Sequence, residues 1–319
     1  MSAAPAIVHT EREQWLLRRR SMLTASDVAA VLGVDPRRGP LAVYLDKIGL
    51  DTRSEDEAAR RWLRFGRDVE GAIANWYADE TGRPARDLGA TEIQTHADLP
   101  WLGATLDRQT NGVESCPAPM VPHMAGDGPL ELKAAAGMKA REWRDEPPLH
   151  YQIQLQAQMA CTGAQWGSLC ALIGGVAITW RDLLRDDAFL GVALPKLEAF
   201  WLRVQRRDQP EADALPGTSE AIRQAWPTDD GETVDLGPHA LELVEEREAA
   251  QQAIEAAERR KALASNQLRA LMGTATFSAL VDGSFLSLRT VKRARYVAEE
   301  TSYRELRRIR PRLPMRRNG

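Results

Sequence analysis

The chain has 319 residues, of which 44% are hydrophobic and 27% charged, and a formal net charge of −3; it is long enough to bury a sizeable core, and any contact with nucleic acid must come from local basic clusters. Cys116, Cys161 and Cys170 are the only cysteines and show no CxxC spacing, which disfavours a disulfide framework or a zinc or iron–sulfur centre and fits a reducing cytoplasm. The first ten residues lack a basic and then apolar leader, and the longest apolar run, Leu169 to Trp180, is too short for a bilayer, so neither export nor membrane insertion is expected.

Trp15 to Arg20 reads as a basic helix that breaks at a hydroxyl-rich turn. A second helix follows, capped by Thr24 or Ser26 and ended at Gly33. A capped helix start beside arginines offers an anion site, and the plainer reading is ordinary capping with a solvated arginine face. Pro40 to Gly49 reads as a short amphipathic helix, and Ser54 to Gly82 as a longer one interrupted near Gly66. In its second half Val69, Ile73, Trp76 and Tyr77 recur at helical spacing, with Glu70 beside the apolar stripe. Ala90 to His96 and Trp101 to Thr110 read as paired strands turning at Asp98-Leu99-Pro100, the second carrying Asp107. Residues 111 to 128 form a Pro/Gly-rich loop.

That loop leads into Leu130-Glu131-Leu132-Lys133, which reads as a buried strand. Period-2 alternation puts Glu131 and Lys133 on one face. A carboxylate beside an ammonium on a rigid strand suits metal-assisted hydrolysis, the carboxylate holding a divalent cation and the lysine orienting the nucleophile. A Glu-x-Lys triplet alone reads more simply as a cross-strand ion pair at a sheet edge.

Ala134 to Trp143 follows as a loop or helix start carrying Lys139 and Arg141, and Leu149 to Thr162 is helical with glutamines at 152, 154, 156 and 158. Ser168 to Ile173 and Val176 to Trp180 read as a hairpin turning at Gly174-Gly175, and Leu183 to Arg206 as a closing helix. Residues 208–238 shift to Pro, Gly, Asp, Glu and Thr and read as a linker. Beyond it, Leu241 to Met272 forms a long helix with a seam at Ala250, Ile254, Ala257, Ala264, Leu268 and Leu271, then a type I′ hairpin around Asp282-Gly283 and an arginine-rich tail. The expected division is residues 1–207 as the functional domain, 208–238 as linker, and 239–319 as a C-terminal helical arm.

The order of a helix Glu, a strand Asp, a strand Glu-x-Lys and a helix Gln resembles the PD-(D/E)xK nucleases, and specifically the YqaJ viral recombinase family to which the lambda exonuclease is related. The resemblance spans about residues 12 to 205. It implies an α/β, restriction-endonuclease-like core with a central mixed sheet flanked by helices. By resemblance, Asp107, Glu131 and the Leu132 carbonyl hold Mg²⁺, with Mn²⁺ as substitute, and Glu70, in a Gly-x-x-x-Glu pattern with Gly66, helps a second ion. Lys133 activates the attacking water. Gln154, or Gln156 in the competing register, orients it. The family's opening Trp, Arg and Ser pattern assigns the 5′-phosphate to Ser26 and to Arg19 or Arg20, with Lys139 and Arg141 placed for further phosphates. Where the family has Pro before and Gly after its catalytic Asp, this chain has Leu106 and Arg108.

The implied activity is 5′-to-3′ digestion of double-stranded DNA ends, leaving 3′ single strands for an annealing protein, by a phage- or prophage-encoded homo-oligomer, a trimer by resemblance, in the bacterial cytoplasm. The alternatives are a structure-specific or single-strand nuclease of a repair or CRISPR-related system, and a non-catalytic DNA-end-binding scaffold.

Overall fold

The structure, a computed structural model, describes residues 10–50, 57–112, 126–135 and 137–292. They fall into two units, Met1–Trp226 and Pro227–Gly319. The first opens with α1 (Glu11–Arg20), started by a capping box in which the Thr10 N–H donates to Glu13 and the Glu13 N–H to the Thr10 hydroxyl. After β1 (Leu23–Thr24), α2 (Ala25–Val31) takes Thr24 as its cap, and the Thr24 N–H and hydroxyl both donate to Asp27. Pro40 opens α3 (Pro40–Lys47) at a position where a missing N–H costs nothing. The next helix, α4 (Glu57–Thr81), runs unbroken through Gly66. A helical glycine costs only about 1 kcal/mol relative to Ala, and the buried stripe Ile73, Ala74 and Tyr77 anchors the helix, so the expected interruption does not occur.

The strand expected over Trp101 to Thr110 is split at residues 105–107. Its first part, β3 (Leu102–Ala104), lies between β1 and β2 (Gln94–Thr95) in a three-stranded sheet. Its second part, β4 (Arg108–Asn111), pairs antiparallel with β5 (Asp127–Ala135) in a different sheet. A 3-10 turn (Gly137–Trp143) and α5 (Leu149–Thr162) then cross over to β6 (Trp166–Ile173), which is parallel to β5. The antiparallel β7 (Ala177–Leu184) completes the order β4-β5-β6-β7. The sheet is mixed, with helices covering it, and the split places Asp107 at the junction between the two sheets.

Alternation along β5 decides which side chains meet. Leu130 and Leu132 are buried with Ile73 and Tyr77 of α4, whereas Ala135 is buried with Leu155 and Met159 of α5. Glu131 and Lys133 share the parity of Ala135 and therefore face α5. Gly128 lets β5 approach β6: a Cβ there would lie 2.6 Å from the Trp166 carbonyl oxygen.

The closing helix α6 (Asp187–Arg206) buries Leu197, Phe200, Trp201 and Val204 in the same cluster as α2 and α3. The unit continues further than composition suggests, because α7 (Pro216–Ala225) docks on α3. Its Thr218 is fully buried and accepts from the Gly39 N–H at 3.3 Å, and the Gly217 N–H donates to the Arg37 carbonyl at 2.8 Å. A Pro/Asp-rich composition therefore conceals a helix inside the stretch expected to be linker, and the boundary lies at Trp226 rather than near residue 207.

The second unit contains α8 (His239–Met272), none of whose residues is buried, and the hairpin of β8 (Phe277–Ala279) and β9 (Phe285–Ser287). Its turn is closed by the Gly283 N–H donating to the Leu280 carbonyl. Only Gly283 has positive φ there, and type I′ needs two such residues, so the turn is of another type. The arginine-rich tail from Arg293 onward lies outside the described residues. Among the described residues no helix is long and apolar enough to cross a membrane.

Candidate active site

Glu131 is 1% exposed at the centre of β5, and a buried carboxylate must be paired and hydrogen-bonded. Lys133 donates to its Oε1. Gln154 Nε2 donates to the same oxygen at 2.6 Å, and Gln158 Nε2 donates to Oε2 at 2.5 Å. The two amides stand one turn apart on α5 and so share a face. The Lys133 ammonium also lies 4.9 Å from the centre of the Tyr151 ring, a distance at which the ring attracts it.

Asp107 reaches the same place from the sheet junction. The β4–β5 ladder ends at the Arg108–Leu130 pair, which leaves the Leu132 N–H without a strand partner on that side. The Asp107 carboxylate accepts it at 2.8 Å. Burial, and then the neighbouring Glu131 charge, push the Asp107 carboxyl up to about 8. Burial also raises Glu70, on α4; Arg108 opposes the shift and Glu131 adds to it. The Glu131 and Asp107 carboxylates outweigh burial at Lys133 and hold its pKa above the ordinary value. Three carboxyl groups thus act on one another with one ammonium among them.

Such an excess of negative charge away from water calls for protons or a cation. Among the described residues no three His, Cys, Asp or Glu side chains form a ready-made metal cage. The site instead offers the Asp107 and Glu131 carboxylates, oxygen donors of the kind Mg²⁺ accepts while keeping several waters.

A second cluster joins α1 to the start of α2. Arg19 Nη2 donates to Ser26 Oγ at 3.2 Å and to Thr24 Oγ1 at 3.4 Å, and its guanidinium lies 4.8 Å from the centre of the Trp15 ring. Beneath it, Asp27 binds Lys47 at 2.8 Å and Arg38 at 2.6 Å, and Lys47 donates to the Arg19 carbonyl. These cations outweigh burial and hold the Asp27 carboxyl far below the usual range. The network fixes the turn on which a guanidinium and two hydroxyls converge.

Residues 14–165 match the YqaJ-like viral recombinase domain, a span that holds both clusters. A relative of this chain is protein YqaJ of Bacillus subtilis (strain 168), 25% identical over 230 residues that make up 70% of this chain and 67% of the relative. Two crystal structures of LHK-Exo are also similar, one in complex with dAMP and one described as an alkaline exonuclease from Laribacter hongkongensis. They are 22% and 21% identical, with TM-scores of 0.48 and 0.46, and each comparison covers 61% of this chain and 94% of the other.

Within residues 14–165 the alternatives left open by sequence differ in their contacts. Arg19, rather than Arg20, meets Ser26. Gln154 rather than Gln156 meets Glu131, because Gln156 donates to the Leu184 carbonyl and accepts from the Asp186 N–H, tying α5 to the end of β7. Gln158 was not among the expected site residues, although its i+4 relation to Gln154 is a signal for it. Arg141 is exposed on the 3-10 turn. The side chain of Lys139 lies outside what the structure describes.

Proposed function

We propose that this chain is a metal-dependent deoxyribonuclease that digests linear double-stranded DNA from its 5′ ends, leaving 3′ single strands for an annealing protein in phage-type recombination. The reading rests above all on one observation: Glu131 and Lys133 share one face of β5, where they meet Asp107 and the amides of α5. Mg²⁺, or Mn²⁺ in its place, supplies a Lewis acid that polarises the phosphoryl oxygen and makes water a better nucleophile at neutral pH. Asp107, Glu131 and the Leu132 carbonyl would hold it, and Glu70 would contribute to a second ion. Lys133 keeps its ammonium beside the scissile phosphate, where it steers the attacking water and offsets the charge that develops. Gln154 fixes the Glu131 oxygen that Lys133 also binds, and so orients both.

Arg19 and the Ser26 and Thr24 hydroxyls supply charge-assisted and neutral hydrogen bonds to a terminal 5′-phosphate. Lys139 and Arg141 meet phosphates further along the strand by sequence-independent attraction. The working form is a homo-oligomer.

The test is Mg²⁺-dependent digestion of linear duplexes with 5′-phosphate ends, of the same duplexes with 5′-hydroxyl ends, and of closed circles. Faster loss of the 5′-phosphorylated strand and resistance of circles are expected. Cutting of circles, or a preference for single strands, would shift the reading to a structure-specific or single-strand nuclease. Binding of ends without cleavage in any divalent cation would make the chain an end-binding scaffold.

A further inference from the structure

We propose that Gln158 is a positioning residue that holds Glu131 in the orientation in which it receives a divalent cation, an inference that rests on the metal-dependent reading above. A carboxylate turns readily about its last side-chain bond, where the torsional wells are broad and two-fold. A donor on one oxygen leaves that rotation partly open. Donors on both oxygens close it. Gln154 and Lys133 both bind Oε1, so among the described residues the Oε2 end depends on Gln158.

Gln158 is suited to fixing the carboxylate. It is fully buried on α5, and its neighbours Leu155 and Met159 are fully buried in the cluster that holds Leu169 and Ala171 of β6. The donor is therefore carried on a rigid element. Its own amide oxygen is buried without a hydrogen-bond partner among the described residues, a destabilising arrangement. A methionine of similar length would fill the space without that cost and would hold nothing. The amide is explained by what its nitrogen does at Glu131, since a metal ligand's hydrogen-bond partners tune its affinity.

The experiment titrates the full chain with Mn²⁺ in the absence of DNA, following the free-ion signal by electron paramagnetic resonance, for the parent protein, Glu131→Gln, Gln158→Met and Gln158→Leu. The parent is expected to bind and Glu131→Gln to lose binding. Gln158→Met should bind roughly tenfold or more weakly, as outer-shell changes do, while its circular dichroism stays that of the parent, because removing the unsatisfied oxygen offsets part of the bond lost at Glu131 Oε2. The Mg²⁺ concentration giving half-maximal cleavage should rise by a similar factor, while the rate at saturating metal recovers towards the parent's. If the parent binds no Mn²⁺, the metal-dependent reading falls and this inference with it. If the parent binds, Glu131→Gln does not, and both Gln158 variants bind like the parent, only the inference falls. Loss of the fold in both variants would make Gln158 a structural residue and overturns it as well.

Discussion

Glu131 and Lys133 illustrate how a strand turns two charges into a tool: their shared face makes them a pair, and the buried setting makes each depend on the other's charge. Lys133→Ala should lower cleavage by roughly 10²–10⁴-fold, the usual range for losing a group that activates or positions a nucleophile. Its circular dichroism should stay that of the parent. Near-normal turnover in the purified variant would remove Lys133 from the chemistry. Asp107 makes a different prediction, about pH. Its carboxyl is raised from 3.8 to about 8 by burial and then by Glu131, so the folded chain holds a proton there that the unfolded chain has released. Stability therefore falls as pH rises through that window. Melting temperatures of the metal-free protein in chelator should decline from pH 5 to pH 8, and Asp107→Asn should flatten the decline. Added Mn²⁺ should stabilise the parent more at pH 8 than at pH 5, because a cation then replaces the missing proton.

The turn from α1 into α2 works as an element, built on an ion network from which the Arg19 side chain projects. Asp27 is buried between Lys47 and Arg38, with Lys47 itself buried. Asp27→Ala leaves the buried lysine with the Asp46 carboxylate at 3.8 Å as its ion-pair partner and should cost about 3 kcal/mol in urea unfolding, the low end for breaking a buried pair. Because the Asp27 carboxyl is held low, its contribution is present at neutral pH and is lost as pH falls below the ordinary carboxylate range. Arg19→Ala leaves that network in place and removes the guanidinium. A charge-assisted bond worth about 1.5–3 kcal/mol predicts a roughly 10- to 100-fold weaker use of 5′-phosphorylated ends, with 5′-hydroxyl ends little changed. Equal slowing on both substrates would show that Arg19 and Ser26 serve the turn alone.

At the scale of the whole molecule the division at Trp226 matters most. A chain ending at Trp226 keeps α7 on α3 and should retain metal-dependent cleavage of short duplexes with a melting temperature near that of its parent's first transition. A chain ending near Pro210 loses the buried Thr218 and Ala221 and should melt lower or fail to fold. If the longer truncation is inactive on short duplexes while still folded, the second unit belongs to the catalytic machinery. The apolar positions of α8, among them Ile254 at 53% and Leu271 at 84% exposure, lie entirely in the part removed.

The sequence by itself determined what depends on local order. Alternation on β5 put Glu131 and Lys133 together, helical spacing in α4 placed Glu70 beside its apolar stripe, and the motif order pointed to the recombinase family before any contact was known. Tertiary structure decided whatever depends on an approach between segments far apart in the chain. Helical periodicity makes Gln154 and Gln156 equal candidates, and only the packing of α5 on β5 sends one to Glu131 and the other to Leu184. Arg19 and Arg20 are adjacent and alike, and the entry angle of α1 above Thr24 selects the first. The helix hidden in residues 216–225 was illegible because its own sequence is polar and marginal, and what makes it stable is the surface of α3.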